Sequence, residues 1–155
     1  MGLDMYLIAR RQVYPWMKEM EPVHKKLMKS IRKNLDAPKT DWKEAGITVS
    51  VEVGYWRKAN AIHGWIVKNV QNGVDDCGEY YFSKEKIQEL LETCQKALAD
   101  LPNAGDLLPP TSGFFFGSME MDEFYAQDLE HTIDILQNVL EDESKLWLYY
   151  YHSSW

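Results

Sequence analysis

Leu3, Met5, Leu7 and Ala9 alternate with Asp4, Tyr6, Ile8 and Arg10, which is the two-residue period of a strand with one buried face. This pattern predicts a strand over residues 3–11 within a sheet. The period then changes. Val23, Leu27, Ile31 and Leu35 recur at helical spacing around the run H-K-K-L-M-K-S-I-R-K of residues 24–33, with the cations on the remaining faces. Proline, aspartate and glycine between 36 and 46 mark a loop, and the β-branched residues 47, 48, 49 and 51 predict a second strand over 47–53. A helix over about 59–70 buries Ala59, Ile62, Ile66, Val67 and Val70 and stops at Asn72-Gly73. Gly64 weakens that helix unless something packs close to it.

Residues 79–82 are short and aromatic and predict a third strand. Ser83 then caps a helix carrying Ile87, Leu90, Leu91, Cys94 and Leu98, which Pro102 and Gly105 end. After the Pro109-Pro110 turn, Ser118 is placed to cap a last helix with Tyr125, Leu129, Ile133, Leu136 and Leu140 on its buried stripe. Residues 146–152 carry large side chains on both alternating faces, which predicts a strand with both sides covered. Leu146, Leu148 and Tyr150 are assigned to the core, leaving Trp147, Tyr149 and Tyr151 for the other side. The simplest solution is an α+β fold: one small domain with a mostly antiparallel sheet of three to five strands packed by three to four helices, and a helical and loop excursion at about 14–46.

With 155 residues and 45% of them hydrophobic, the chain supports one core rather than two. No apolar run reaches the length of a membrane helix, and Asp4 followed by Arg10 and Arg11 has the wrong order for a signal peptide. A cytoplasmic protein with no membrane partner is expected, its two cysteines, Cys77 and Cys94, reduced. The net charge of -7 argues against nucleic acid as a partner, because phosphate contacts carry much of that affinity. The basic helix is then either a solvated face or a docking surface for an acidic partner.

The densest chemistry lies in G-Y-W-R-K-A-N-A-I-H-G-W, residues 54–65, read as the approach to a helix start. Arg57 and Lys58 there oppose the helix field, whereas an anion is stabilised by the free backbone donors. Either an internal carboxylate, such as Glu52, Glu79 or Asp122, or a ligand's phosphate or carboxylate must compensate. His63 borders the buried face, as a core histidine or as a general base, with Cys77 the one tempting nucleophile. His24, His131 and His152 are dispersed without metal-ligand spacing, and no phosphate loop occurs, so neither metal nor cofactor is expected. Phe114, Phe115 and Phe116, hinged by Gly113 and Gly117, cannot all enter one core if extended, since successive side chains point oppositely.

The segments G-L-D-M-Y-L (2–7), E-V-G-Y-W-R-K-A-N-A-I-H (52–63), C-G-E-Y-Y (77–81), S-G-F-F-F-G-S (112–118), the acidic-aromatic helix start at 122–125 and the closing Ser-Ser-Trp together resemble an uncharacterised group of small bacteriophage and prophage proteins. The resemblance covers nearly all of the chain outside residues 12–46. It implies a phage setting inside a bacterial host and assigns no catalytic role.

Two functions follow as expectations. The first is a non-enzymatic accessory protein that binds a host protein or a small anionic ligand through a polar recess near Arg57, Asn60 and His63, with Trp56, Lys58, Glu79, Tyr80, Phe116 and Asp122 completing the binding set. Its 6 Trp, 9 Tyr and 5 Phe suit interfaces and pockets. Self-association into a homodimer through the aromatic C-terminal strand or the Phe114 to Phe116 segment belongs to this reading. The alternative is a small hydrolase or transferase using His63 with Glu79 or Asp122.

Overall fold

The computed structural model describes every residue except Met1, Pro38 and Trp42. Among the described residues the strands are β1 (Asp4–Val13), β2 (Ile47–Arg57), β3 (Glu79–Tyr81) and β4 (Leu148–Ser154), and the helices are α1 (Glu21–Asn34), α2 (Asn60–Asn69), α3 (Lys84–Ala99) and α4 (Glu123–Glu141), with a 3-10 turn at Leu101–Asp106. They make an α+β fold with a four-stranded sheet in the order β2-β1-β4-β3. Tyr6 meets Tyr55 ring to ring and the Lys58 N–H reaches the Leu3 carbonyl, so β1 and β2 run antiparallel, as do β3 and β4.

The chain divides into two compact units, one of residues 1–9 and 51–155 and one of residues 10–50. In the larger unit, the alternation in β1 has its expected physical result: Leu3, Met5, Leu7 and Ala9 are buried. They join Ile62 and Ile66 of α2, Leu90 and Cys94 of α3, and Leu129 and Leu136 of α4 in one hydrophobic core. Each fully buried side chain of this kind contributes about 1.5–3 kcal/mol. In β2 the alternation shifts phase, because Val53 packs on the core and a Cβ on Gly54 would lie 2.6 Å from Ile135 Cγ2. Two consecutive residues facing inward are the mark of a bulge, and glycine is needed where Ile135 comes so close.

Three expectations are corrected. Residues 54–57 continue β2 as strand beyond its expected end at 53, whereas helix α2, Asn60–Asn69, lies where it was expected. The last strand is turned over: Tyr149 and Tyr151 are buried, whereas Leu146 and Leu148 are exposed. Large side chains on both phases carry no polarity signal, so the pattern could not choose the face. Third, Ser118 does not cap α4. Its hydroxyl accepts from Glu120 N at 3.0 Å, and the cap is Asp122, whose Oδ1 accepts from Phe124 N at 3.0 Å and Tyr125 N at 3.2 Å. Ser83 does cap α3, accepting from Lys86 N at 3.3 Å.

In the smaller unit, α1 buries His24, which meets the Ala45 carbonyl through Nε2 at 2.7 Å. Its stripe at Val23 and Leu35 stays exposed. Tyr14 stacks on Trp16 with ring centroids 4.7 Å apart. The loop expected over 36–46 includes Pro38 and Trp42, which lie outside the described residues.

Candidate functional site

The end of β2 and the start of α2 form one corner of a cleft of about 460 Å³ whose other wall is the first turns of α4. Arg57, Lys58, Asn60, Ala61 and Ile62 line the first wall, and Glu120, Asp122, Phe124, Gln127 and Asp128 the second. Lys58 holds a left-handed backbone at φ 62°. Gly117, at φ 101°, makes this possible, since a Cβ there would lie 3.1 Å from Lys58 Cβ and 3.3 Å from its carbonyl oxygen. The turn ends in a bond from Asn60 N to the Lys58 carbonyl at 2.8 Å, and His63 N makes the first regular bond of α2 to the Ala59 carbonyl at 3.0 Å.

Helix α2 has no side-chain cap. The N–H groups of Ala61 and Ile62 find no acceptor among the described residues, and both residues line the cleft. The N-cap position is Ala59, and the amide of Asn60, the first helical residue, is turned elsewhere. Its Nδ2 donates to the Phe116 carbonyl at 3.2 Å and the Ser118 carbonyl at 2.8 Å, and its Oδ1 accepts from Thr111 N at 3.0 Å. With every polar atom of its amide occupied, Asn60 clamps the 111–118 segment and forms the floor of the cleft instead of a ligand contact.

No carboxylate among the described residues lies within ion-pair distance of Arg57 or Lys58. Among the described residues the expected ion pair from Glu52, Glu79 or Asp122 to these cations is not found: Asp122 shares the cleft but spends its carboxylate on the α4 cap. Among the described residues nothing hydrogen-bonds to the Asp128 carboxyl group, and burial pushes its pKa up to about 6, with His131 pulling it down and Asp122 adding to the rise.

The remaining residues singled out from the sequence lie elsewhere. Trp56 is buried and donates from Nε1 to Thr132 Oγ1 at 2.9 Å, so it ties β2 to α4. Glu79 and Tyr80 lie on β3, where Tyr80 donates to Asp76 Oδ1 at 3.0 Å. Phe116 is buried, edge-on to His63 with centroids 5.2 Å apart.

His63 faces away from the cleft's cations. Its Nδ1 lies 2.7 Å from the Tyr151 hydroxyl and its Nε2 3.0 Å from Asp75 Oδ2, while Asp75 Oδ1 accepts the Trp155 indole N–H at 3.1 Å. A carboxylate only accepts, so Nε2 carries a proton toward Asp75, and in the neutral ring Nδ1 then accepts from Tyr151, whose pKa burial holds well above the ordinary phenol value. His63 and Asp75 border a second depression of about 440 Å³. The pairing of His63 with Glu79 or Asp122 gives way to Asp75 and Tyr151. Both ring nitrogens are occupied, and the Tyr151 side chain is fully buried. Asp75 left little trace in the sequence, where it reads as one of two turn aspartates after Gly73.

Among the described residues no group of three His, Cys, Asp or Glu side chains is placed to hold a metal ion, and no helix is long and apolar enough to cross a membrane. No family model, no curated protein and no solved structure matches this chain.

Proposed function

We propose that this is a non-enzymatic phage or prophage accessory protein of the bacterial cytoplasm that binds a small anionic ligand in the cleft between α2 and α4. One observation carries the reading: two cations with no ion-pair partner among the described residues flank the uncapped start of α2 inside a concave site. The free N–H groups of Ala61 and Ile62 and the helix field favour an anion there, and the guanidinium of Arg57 can grip two oxygens at once. Lys58 adds a point charge whose stem is held against Gly117. On the facing wall Asp122 is engaged as a cap, and Asp128, its pKa raised by burial to about 6, is a neutral acid and hydrogen-bond donor only below that pH, where it suits a ligand with a hydroxyl or carbonyl beside its anionic group. The phage setting rests on the segment resemblance described above.

Calorimetric titration with inorganic phosphate, and mass analysis of any small molecule that co-purifies, test this. Saturable phosphate binding that falls at least ~10-fold in Arg57→Ala is expected, since a charge-assisted bidentate contact is lost. Arg57 is exposed, so the variant keeps its fold. Unchanged phosphate affinity in Arg57→Ala and Lys58→Ala would remove the cleft from consideration.

A further inference from the structure

The wall that faces Arg57 and Lys58 is acidic. Glu120, Asp122 and Asp128 line the same cleft as these two cations, so three carboxylates stand opposite two positive charges. A bare anion seated on Arg57 is repelled by that wall, and a site selective for bare anions would not carry an excess of their own charge. The two sets do not neutralise each other either. Among the described residues no ion pair joins Arg57 or Lys58 to Glu120, Asp122 or Asp128, and nothing hydrogen-bonds to the carboxyl groups of Glu120 and Asp128. Opposite charges held apart across a concave space leave both halves to a ligand that carries both signs.

The acidic wall is fixed as firmly as the cationic one. Asp122 caps α4 through Phe124 N and Tyr125 N, and the Tyr125 hydroxyl donates to the Leu108 carbonyl at 2.8 Å, which anchors the first turn from which this wall is built. Phe124 also lines the cleft with its ring 65% exposed, and an aromatic face attracts an ammonium group through its quadrupole. Ile62 and Leu129 give the cleft an apolar lining suited to a short carbon linker. Its volume of about 460 Å³ falls in the range of small-ligand sites. Burial holds the Asp128 pKa up at about 6, a penalty on its charge that a cationic group beside it would offset.

We infer that the cleft takes a small zwitterion, an organic amine that also carries a phosphate or carboxylate, with the anionic group on Arg57, Lys58 and the free N–H groups of α2 and the ammonium against Asp128, Glu120 and the Phe124 ring. The inference rests on the anion reading above and narrows it by giving the second wall a role. Asp122, engaged as the cap, contributes its charge.

The probes are 2-aminoethyl phosphate and ethyl phosphate, which share the anion and differ in the ammonium. Calorimetric titration of the full chain is made at pH 8, where phosphate monoesters are dianions, the amine is protonated and Asp128 is ionised. The amine should bind at least ~10-fold more tightly, from two ion pairs and a ring contact. In Asp128→Asn combined with Glu120→Gln the gap should close to within about threefold, and ethyl phosphate should bind no more weakly than to the parent. Both substitutions keep the side-chain size and remove no hydrogen bond found among the described residues, so the variant folds. Equal affinity of the two probes, both weakened ~10-fold by Arg57→Ala, would overturn the zwitterion and leave the anion site standing. A preference that survives in the double variant would overturn it as well, by placing the ammonium away from this wall. If neither probe shows binding that Arg57→Ala weakens, the anion reading and this inference fall together.

Discussion

His63 Nδ1 and the Tyr151 hydroxyl lie 2.7 Å apart across 88 residues of sequence, so one hydrogen bond joins α2 to the inner face of β4. Both side chains are fully buried, and each satisfies a polar atom that water cannot reach. Tyr151→Phe should therefore lower stability by about 1–3 kcal/mol, the cost of an unsatisfied buried acceptor. His63→Ala should cost about 3 kcal/mol or more, because it also removes the partner of Asp75 Oδ2 and opens a cavity beside Phe116. Urea unfolding of both variants and of the double variant checks the pair. The double variant should lose clearly less than the sum, and additive losses would mean the bond contributes nothing of its own.

Gly64 is explained by Thr111. A Cβ on Gly64 would lie 2.0 Å from Thr111 Oγ1 and 3.1 Å from its Cβ, and Thr111 is held in place by its N–H on Asn60 Oδ1. Gly64→Ala should destabilise by about 1–3 kcal/mol through overpacking, even though alanine is favoured over glycine in a helix by about 1 kcal/mol. With Thr111→Ala the 2.0 Å clash is removed while the 3.1 Å approach to Cβ stays, so Gly64→Ala should lose most of its cost in that background. Thermal unfolding of the four-member set reads this directly, and a stabilising Gly64→Ala in the presence of Thr111 would show that the close approach is relieved in solution.

The sequence pattern located this glycine's requirement for a close neighbour without naming the neighbour, and that division holds across the fold. The strand period of β1 is legible because its outer face carries Asp4 and Arg10. β4 has no such polarity, so alternation does not choose its face, and packing against the core places Tyr149 and Tyr151 inside. Arg57, Lys58 and Asp122 were recognisable as chemistry near helix starts, a local property. Asp75 as the partner of His63, and Thr132 as the partner of Trp56, are products of packing, and neither spacing nor composition encodes them.

Phe115 and Phe116 are neighbours with opposite expected responses. Phe115→Gly removes a left-handed phenylalanine, worth about 1–2 kcal/mol of relief that the greater unfolded-state entropy of glycine partly offsets, so a net gain of up to about 1 kcal/mol is expected. Phe116→Ala empties a buried position between His63 and Trp155 and should cost about 3–5 kcal/mol. Denaturant midpoints decide both. A destabilised Phe115→Gly would mean that the Phe114–Phe115 ring contact outweighs the strain, and the reading of Phe115 as a residue kept against its own stability would fall.

Asp128 couples stability to pH. Burial raises its pKa from the ordinary 3.8 to about 6, so between those values the folded protein holds a proton that the unfolded chain has released. The stabilising contribution is fully present below about pH 4 and is lost as pH rises through about 6. A shift of this size would correspond to about 3 kcal/mol, but Asp128 keeps partial contact with solvent, and screening reduces the expected effect to about 1 kcal/mol. Asp128→Asn should therefore be more stable than the parent by about that amount near neutral pH and no more stable below about pH 4. The same ionisation faces Arg57 and Lys58 across the cleft. Sulfate keeps its charge throughout this range, so its affinity should fall in the parent as Asp128 ionises and stay flat in Asp128→Asn. Paired urea unfolding and sulfate titration at acidic and neutral pH separate the two effects. A parent whose stability rises relative to Asp128→Asn with increasing pH would show that the carboxylate has found a cationic partner in the folded state and is not desolvated beside the cleft.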